Sequence, residues 1–162
     1  MGCQSKSDAD VQRFSSILLP LASEPTDPLA SEPTDLLTLW ALHFCQAEPV
    51  AEFECEPCAP HKTTVLKTHR LSPEHLPASL VFQLKRFAWS TASNKAIKVG
   101  TAVTFPSVLH ASDLTMSRSP VVYALRAVLV HEGSSVSHGH SFTFRRHSDG
   151  TWWKCDDTAV TA

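Results

Sequence analysis

The C-terminal third of the chain is rich in residues that favour β-strands, and this limits its fold more than any other feature. The segment "HSFTFRR" alternates aromatic and polar residues, which is the period of a strand with two different faces. The segments "VVYALRAVLVHEG" and "TWWKCDD" also favour strands, and "HSDG" predicts a turn between the last two. We therefore predict antiparallel β-structure here, with "VVYALRAVLVHEG" as one strand bounded by Pro120 and Gly133.

One helix and several further strands are predicted upstream. The segment "TDLLTLWALHFC" has helical spacing, and Thr34 or Asp35 can cap its first turn. "LPASLVFQLKRFAW" predicts a strand with Phe82 and Leu84 on one face, and "AIKVGTAVTFP" predicts a weaker strand pair. The predicted buried face of the helix consists of Leu36, Leu39, Trp40 and either His43 or Phe44.

The N-terminal region carries a short internal duplication. "LASEPTDP" is followed directly by "LASEPTDL", and two copies are too few to stack as a repeat fold. Its proline and acidic residues predict an exposed loop over residues 21–36. We expect residues 1–13 to be disordered and residues 14–162 to form one unit.

Composition and charge narrow the class of partner. Hydrophobic residues make up 43% of the 162 residues, and the formal net charge is −2, so we expect a globular domain that does not bind nucleic acid. No apolar run is long enough to cross a bilayer. The start "MGCQSK" resembles an acylation signal but has Lys6 where that signal needs Ser or Thr, so we expect no membrane partner.

His140 is the first candidate catalytic residue. It begins a predicted strand after a small, polar loop, and Gly139 removes bulk beside the ring, as a general base with an accessible imidazole requires. Asp156 and Asp157 end the next predicted strand, where a hairpin would bring them beside His140 as orienting acceptors. The alternative is a surface histidine near a hairpin whose two aspartates are turn residues.

Six segments, in order along residues 14–160, resemble the ubiquitin-specific protease family. Besides "RFSSILLPL" and "LLTLWALHFCQAEPV", they include the run from the cysteine pair in "CEPCAPHK" to "LVFQLKRF", and "KVGTAVTFP". "YALRAVLVHEGSSVSHGH" is similar to the family's histidine box, and "WWKCDDTAV" to its closing aspartate box. The resemblance implies part of a papain-like cysteine protease fold of the α+β class. It would be mainly antiparallel β palm and fingers, with one or a few helices.

The resemblance also implies a reaction and a partner. The family hydrolyses the bond after the C-terminal glycine of ubiquitin with a cysteine thiol and requires no cofactor, so ubiquitin or ubiquitinated proteins are the expected partners. His140 corresponds to the general base, Asp156 to the residue that orients the imidazole, and Asp157 to a residue that assists near the oxyanion.

The nucleophile of the family has no match in these 162 residues. Its cysteine lies upstream of every matched segment, in a Gly-Asn-Thr-Cys-Tyr context that none of the five cysteines shares. We therefore expect the chain to be the C-terminal part of a catalytic domain, inactive alone. The alternative is a catalytically inactive protein that binds ubiquitin or acts as a scaffold.

Cys55 and Cys58 are candidate zinc ligands. A closed tetrahedral site needs four ligands, and these two would form the second Cys-x-x-Cys pair of the fingers. Only Cys3 precedes Phe14, and His61 lies near enough in sequence to be a third ligand. The alternative is a tight turn that has lost its metal.

The expected location is the cytoplasm. An odd number of cysteines, without a secretory signal, indicates a reducing compartment. The mitochondrial outer membrane and the nucleus are alternatives, the former because "LKRFAWS" and "GHSFTFRR" resemble the family member found there.

Overall fold

The computed structural model describes residues 12–21, 33–56, 61–115, 117–135 and 137–162. Residues 1–11 of the predicted disordered start and residues 22–32 of the predicted exposed loop lie outside these residues. At the two ends of that loop, Leu21 and Leu36 are buried in the hydrophobic core rather than exposed. In chain order the elements are β1 (Ile17–Pro20), β2 (Thr34–Asp35), α1 (Leu36–His43), β3 (Glu48–Glu54), β4 (Lys62–Lys67), β5 (Phe82–Lys85), β6 (Phe87–Ser90), β7 (Lys95–Lys98), β8 (Val103–Thr104), β9 (Val108–His110), α2 (Ser112–Thr115), β10 (Val122–Ala124), β11 (Ala127–Glu132), β12 (His140–Arg146), β13 (Trp152–Asp156) and β14 (Ala159–Thr161).

A four-stranded antiparallel sheet forms the C-terminal part of the structure, in the order β11-β12-β13-β14. The turn between β12 and β13 is built as its sequence predicts. An Asp149 carboxylate oxygen accepts the Thr151 N–H at 2.8 Å, and Gly150 has a φ of +92°, a conformation that favours glycine. The predicted hairpin is therefore confirmed.

The prediction of one continuous strand before this sheet is wrong. Its first part, β10, pairs with β9, and its second part, β11, pairs with β12. At the break, the Leu125 N–H donates to Ser107 O at 2.8 Å, and Arg126 O accepts the Arg146 N–H at 2.8 Å. The two halves therefore pair with different strands. Local β-propensity does not predict this break, because it depends on tertiary pairing partners.

The N-terminus of α1 is fixed by the predicted cap. Asp35 accepts the Thr38 N–H at 2.9 Å on one carboxylate oxygen and the Thr38 hydroxyl at 2.6 Å on the other. These hydrogen bonds hold the pKa of Asp35 below its ordinary value. The cap therefore fixes where the helix begins, which confirms one of the two candidate residues.

The core lies between α1 and the parallel pair formed by β1 and β5. Trp40 is 1% exposed, and Phe44 stacks on it with 3.9 Å between ring centroids, whereas His43 is exposed. Phe44, not His43, therefore completes the predicted face. Phe82 and Leu84 pack against this cluster as the strand alternation predicts. The buried residues of the core cluster are Ile17, Leu19, Leu21, Leu36, Leu39, Trp40, Leu71, Val99, Leu109 and Leu114.

Two separate hairpins and the short parallel pair of β2 with β8 complete the sheets of the described structure. β3 pairs with β4 across a register irregularity between Val50 and Phe53, and Glu52 there has a φ of +58°. β6 pairs with β7 and forms the second hairpin. No helix among the described residues is both long and apolar enough to span a membrane.

Candidate active site

His140 and Asp156 meet on one face of the C-terminal sheet. His140 is the first residue of β12 and Asp156 the last of β13, and the antiparallel register places them diagonally across from each other. His140 Nε2 hydrogen-bonds to Asp156 Oδ1. An ionised carboxylate only accepts, so Nε2 carries the proton of this bond and Nδ1 is the nitrogen left to act as a base.

The local charges favour the protonated form of His140. The hydrogen bond to Asp156 is the main cause that raises the pKa of His140 above its ordinary value, and the Asp156 and Asp157 charges add to it. Desolvation of the ring, and then the Lys154 charge, act in the opposite direction without reversing the shift. The side chain is 47% exposed, so the ring is accessible to a reacting partner.

Lys154 holds the second oxygen of Asp156. Its Nζ donates to Asp156 Oδ2 at 2.7 Å and lies 4.1 Å from the centroid of the Phe142 ring. Hydrogen bonds from Lys154, and then from His140, lower the pKa of Asp156. The carboxylate therefore stays ionised, with both oxygens bound, and this fixes its orientation toward the imidazole.

The strand alternation predicted for β12 is confirmed around this pair. Phe142 follows His140 on the same face, with 6.3 Å between the ring centroids. Phe144 meets Phe142 edge to face at 5.5 Å. The imidazole therefore has an aromatic row along one side.

Asp157 lies one residue beyond the end of β13, so the prediction that it ends the strand is wrong. Its φ is +49°, and it begins the turn to β14. Ligand atoms of His140, Asp156 and Asp157 lie within 4.8 Å of one another, a grouping that could hold a metal ion. The Asp157 charge also helps to raise the pKa of His140, and the predicted role of Asp157 near the oxyanion stays a prediction.

Two described cysteines lack the setting of a nucleophile. Burial raises the pKa of the Cys45 thiol, which is the opposite of activation. Cys155 precedes Asp156 in β13 and therefore points to the opposite face of the sheet from the carboxylate. Cys55 is buried directly after β3, whereas Cys58 lies outside the described residues, so the predicted zinc pair stays a prediction.

Sequence reasoning missed Lys154, although its signal was present. It stands two residues before Asp156 in a strand, and residues two apart share a face. A cation at that position is therefore placed to reach the carboxylate.

Comparison with protein families gives a match over almost the whole chain. Residues 3–162 match the family described as ubiquitin carboxyl-terminal hydrolase. Ubiquitin carboxyl-terminal hydrolase 10 of Saccharomyces cerevisiae is 37% identical over 109 residues, which are 67% of this chain and 13% of that protein. The human ubiquitin carboxyl-terminal hydrolase 17-like protein 15 is 41% identical over 86 residues, 51% of this chain and 15% of that protein.

Solved structures show the same fold. A SAGA DUB module of Ubp8, Sgf11, Sus1 and Sgf73 bound to monoubiquitin matches with a TM-score of 0.71 at 24% identity, over 98% of this chain and 33% of that one. Another, bound to ubiquitin aldehyde, matches with a TM-score of 0.63 at 23% identity, over 91% of this chain and 32% of that one. The chain thus spans about a third or less of the length of each of these relatives.

Proposed function

The chain belongs to the ubiquitin carboxyl-terminal hydrolase family, of ubiquitin-specific protease type, and we propose that it forms the general-base half of a deubiquitinase catalytic domain. In this proposal His140 and Asp156 act on a cysteine thiol supplied by a segment outside these 162 residues. The substrate is the isopeptide or peptide bond after the C-terminal glycine of ubiquitin.

The observation that carries the proposal is the direction of the His140 ring. Asp156 Oδ1 accepts the hydrogen bond from His140 Nε2, and Lys154 binds the other Asp156 oxygen, Oδ2. These contacts fix both the tautomer and the plane of the imidazole ring. Nδ1 is then the position at which a thiol would transfer its proton.

The proposed reaction follows from this arrangement. Nδ1 of His140 takes the thiol proton, and the thiolate attacks the carbonyl carbon of the terminal glycine. The C–N bond then breaks, and the leaving amine takes the proton from Nδ1. A water molecule then transfers a proton to the same nitrogen as its oxygen attacks the thioester carbon. The C–S bond breaks, ubiquitin leaves with a free C-terminal carboxyl group, and the cysteine sulfur takes the proton back from Nδ1. Asp156 stabilises the imidazolium in each step, and Asp157 adds negative charge nearby.

A second candidate function is ubiquitin binding without cleavage. The observation in its favour is that none of the five cysteines has the context of the family's nucleophile. Under this alternative the His140–Asp156 pair would persist as structure only. Two of the structurally similar proteins are complexes with ubiquitin or ubiquitin aldehyde, which fits either function.

Turnover of a fluorogenic ubiquitin substrate separates the two functions. We expect no hydrolysis by the 162-residue chain alone. A hybrid with a family thumb segment and its cysteine box fused ahead of Arg13 should hydrolyse the substrate, once circular dichroism confirms that it is folded. A folded hybrid that binds ubiquitin but gives no turnover would support the binding function. Turnover by the chain alone that one Cys-to-Ser change abolishes would contradict the proposal.

A further inference from the structure

A lysine from a different hairpin binds the backbone that leads to the candidate active site. Lys98 is the last residue of β7, and its Nζ donates to His131 O at 2.7 Å and to Gly133 O at 2.6 Å. Both carbonyls belong to the end of β11 and the start of the loop before β12. The bonds are charge-assisted and join segments more than 30 residues apart.

Two glycines close the base of that loop. Gly133 has a φ of +129°, and a Cβ there would lie 3.0 Å from both Gly139 Cα and His138 O. The first and last residues of the loop therefore pack backbone against backbone, which a side chain at Gly133 would prevent. The Gly133 carbonyl that Lys98 binds thus belongs to the same junction as Gly139, the residue before His140.

The His131 ring fills the space under Gly139. A Cβ built on Gly139 would lie 2.2 Å from His131 Nε2, and the ring meets Phe87 of β6 edge to face at 5.4 Å. His131 Nδ1 is buried without a hydrogen-bond partner among the described residues. Packing between Phe87 and Gly139, rather than hydrogen bonding at Nδ1, therefore holds this ring.

We propose that Lys98 and His131 are positioning residues that fix the backbone at the start of β12 and thereby the direction of the His140 ring. The β6–β7 hairpin acts as the support: Lys98 holds two carbonyls of the loop base, and Phe87 holds the His131 ring against Gly139. Glu132 pairs with His140 in the sheet, so the fixed segment is the direct neighbour of the catalytic histidine. The inference rests on the proposed function of His140, because positioning matters only for a group that reacts.

Amide hydrogen exchange tests the positioning in the full 162-residue chain. In Lys98→Met we expect exchange at Gly139, His140 and Ser141 to be at least about tenfold faster, with Thr143 to Arg146 unchanged. The matched control is Lys95→Met, which removes the same charge from an exposed position on the same strand and should leave both regions unchanged. Lys98→Arg keeps the charge and several donors, so it should lie between wild type and Lys98→Met.

Two exchange results would overturn the inference. One is equal exchange at the start of β12 in Lys98→Met and Lys95→Met. The other is a uniform rise in exchange rate across the whole chain in Lys98→Met. That result would mean that Lys98 stabilises the fold as a whole and does not specifically position the start of β12.

Kinetics in the active hybrid provide the second readout. A displacement near 1 Å at the base costs about a hundredfold in rate, so we expect Lys98→Met to lower kcat by about ten- to a hundredfold with a smaller change in KM. If the wild-type hybrid has no turnover, the proposed function fails while the exchange result stands by itself. If the wild-type hybrid is active and Lys98→Met equals Lys95→Met in kcat, the positioning role fails.

Discussion

Replacing Gly139 with alanine should displace His140 by a predictable amount. Gly139 does not have a positive φ, so the cost is steric rather than conformational. The new Cβ would lie 2.6 Å from Glu132 O, a backbone atom, whereas ordinary contact begins at 3.4 Å. The backbone must therefore separate by about 0.8 Å, because the carbonyl cannot rotate away as a side chain would.

The expected consequences are a moderate loss of stability and a large loss of rate. Forced overpacking of this kind costs about 1–3 kcal/mol. A shift close to 1 Å at the residue before His140 should lower kcat of the hybrid by up to about a hundredfold. Urea unfolding measures the first effect, and substrate turnover measures the second.

Gly100→Ala is the matched control, since no atom lies within 4 Å of a Cβ built there. It should leave the rate unchanged and should not lower stability, since alanine at such a position reduces only the freedom of the unfolded chain. If Gly139→Ala is as stable and as active as Gly100→Ala, the close approach of Gly139 to Glu132 O has no role in positioning His140, and this explanation is wrong.

Three further predictions concern charge, core packing and metal binding. Asp156→Asn should lower the pKa of His140, measured by NMR titration of the ring, because the cause that raises it is lost. Because the pKa of His140 is raised in the folded state, its pairing with ionised Asp156 stabilises the fold fully below the unfolded pKa of 6.5. This stabilisation is lost as the pH rises through the folded pKa of His140. An unchanged His140 titration in Asp156→Asn would show that Asp156 does not cause the raised pKa. Leu39→Ala should cost about 2–5 kcal/mol in urea unfolding, because Leu39 is fully buried, and a loss below about 1 kcal/mol would show that the core relaxes around it. Any zinc that survives dialysis should be lost when Cys55 and Cys58 are both changed to Ser, and zinc that remains in this variant by metal analysis would place its ligands elsewhere.

Local sequence signals predicted the features that depend on neighbours in the chain. The alternation of "HSFTFRR" gave the shared face of His140 and Phe142, and "HSDG" gave the turn that brings Asp156 back to that face. Asp35 was recognisable as a helix cap because its partner, Thr38, is three residues away. The histidine–aspartate pair was predictable for the same reason, since one hairpin carries both residues.

Features that depend on distant partners were not predictable in this way. The predicted strand before the candidate active site divides between Ala124 and Ala127 because its two parts pair with different strands, although its residues favour one continuous strand. β3 was also not predictable from local pattern, because it carries charged residues and a bulge at Glu52. Its strand conformation depends on pairing with β4. Lys98 reaches its acceptors across more than 30 residues, and a lone lysine in a weak strand carries no local sign of that role.

The central claim is that His140 is a general base built to face a thiol from outside these residues. The most direct measurement is the rate at which a folded hybrid with the family's cysteine box forms an adduct with a ubiquitin probe that carries a C-terminal electrophile. We predict rapid reaction, a loss of about a hundredfold or more in His140→Ala, and a near-normal rate in His138→Ala. Equal rates with and without His140 would contradict the claim and leave "SHGHSFTFRR" as a structural strand only.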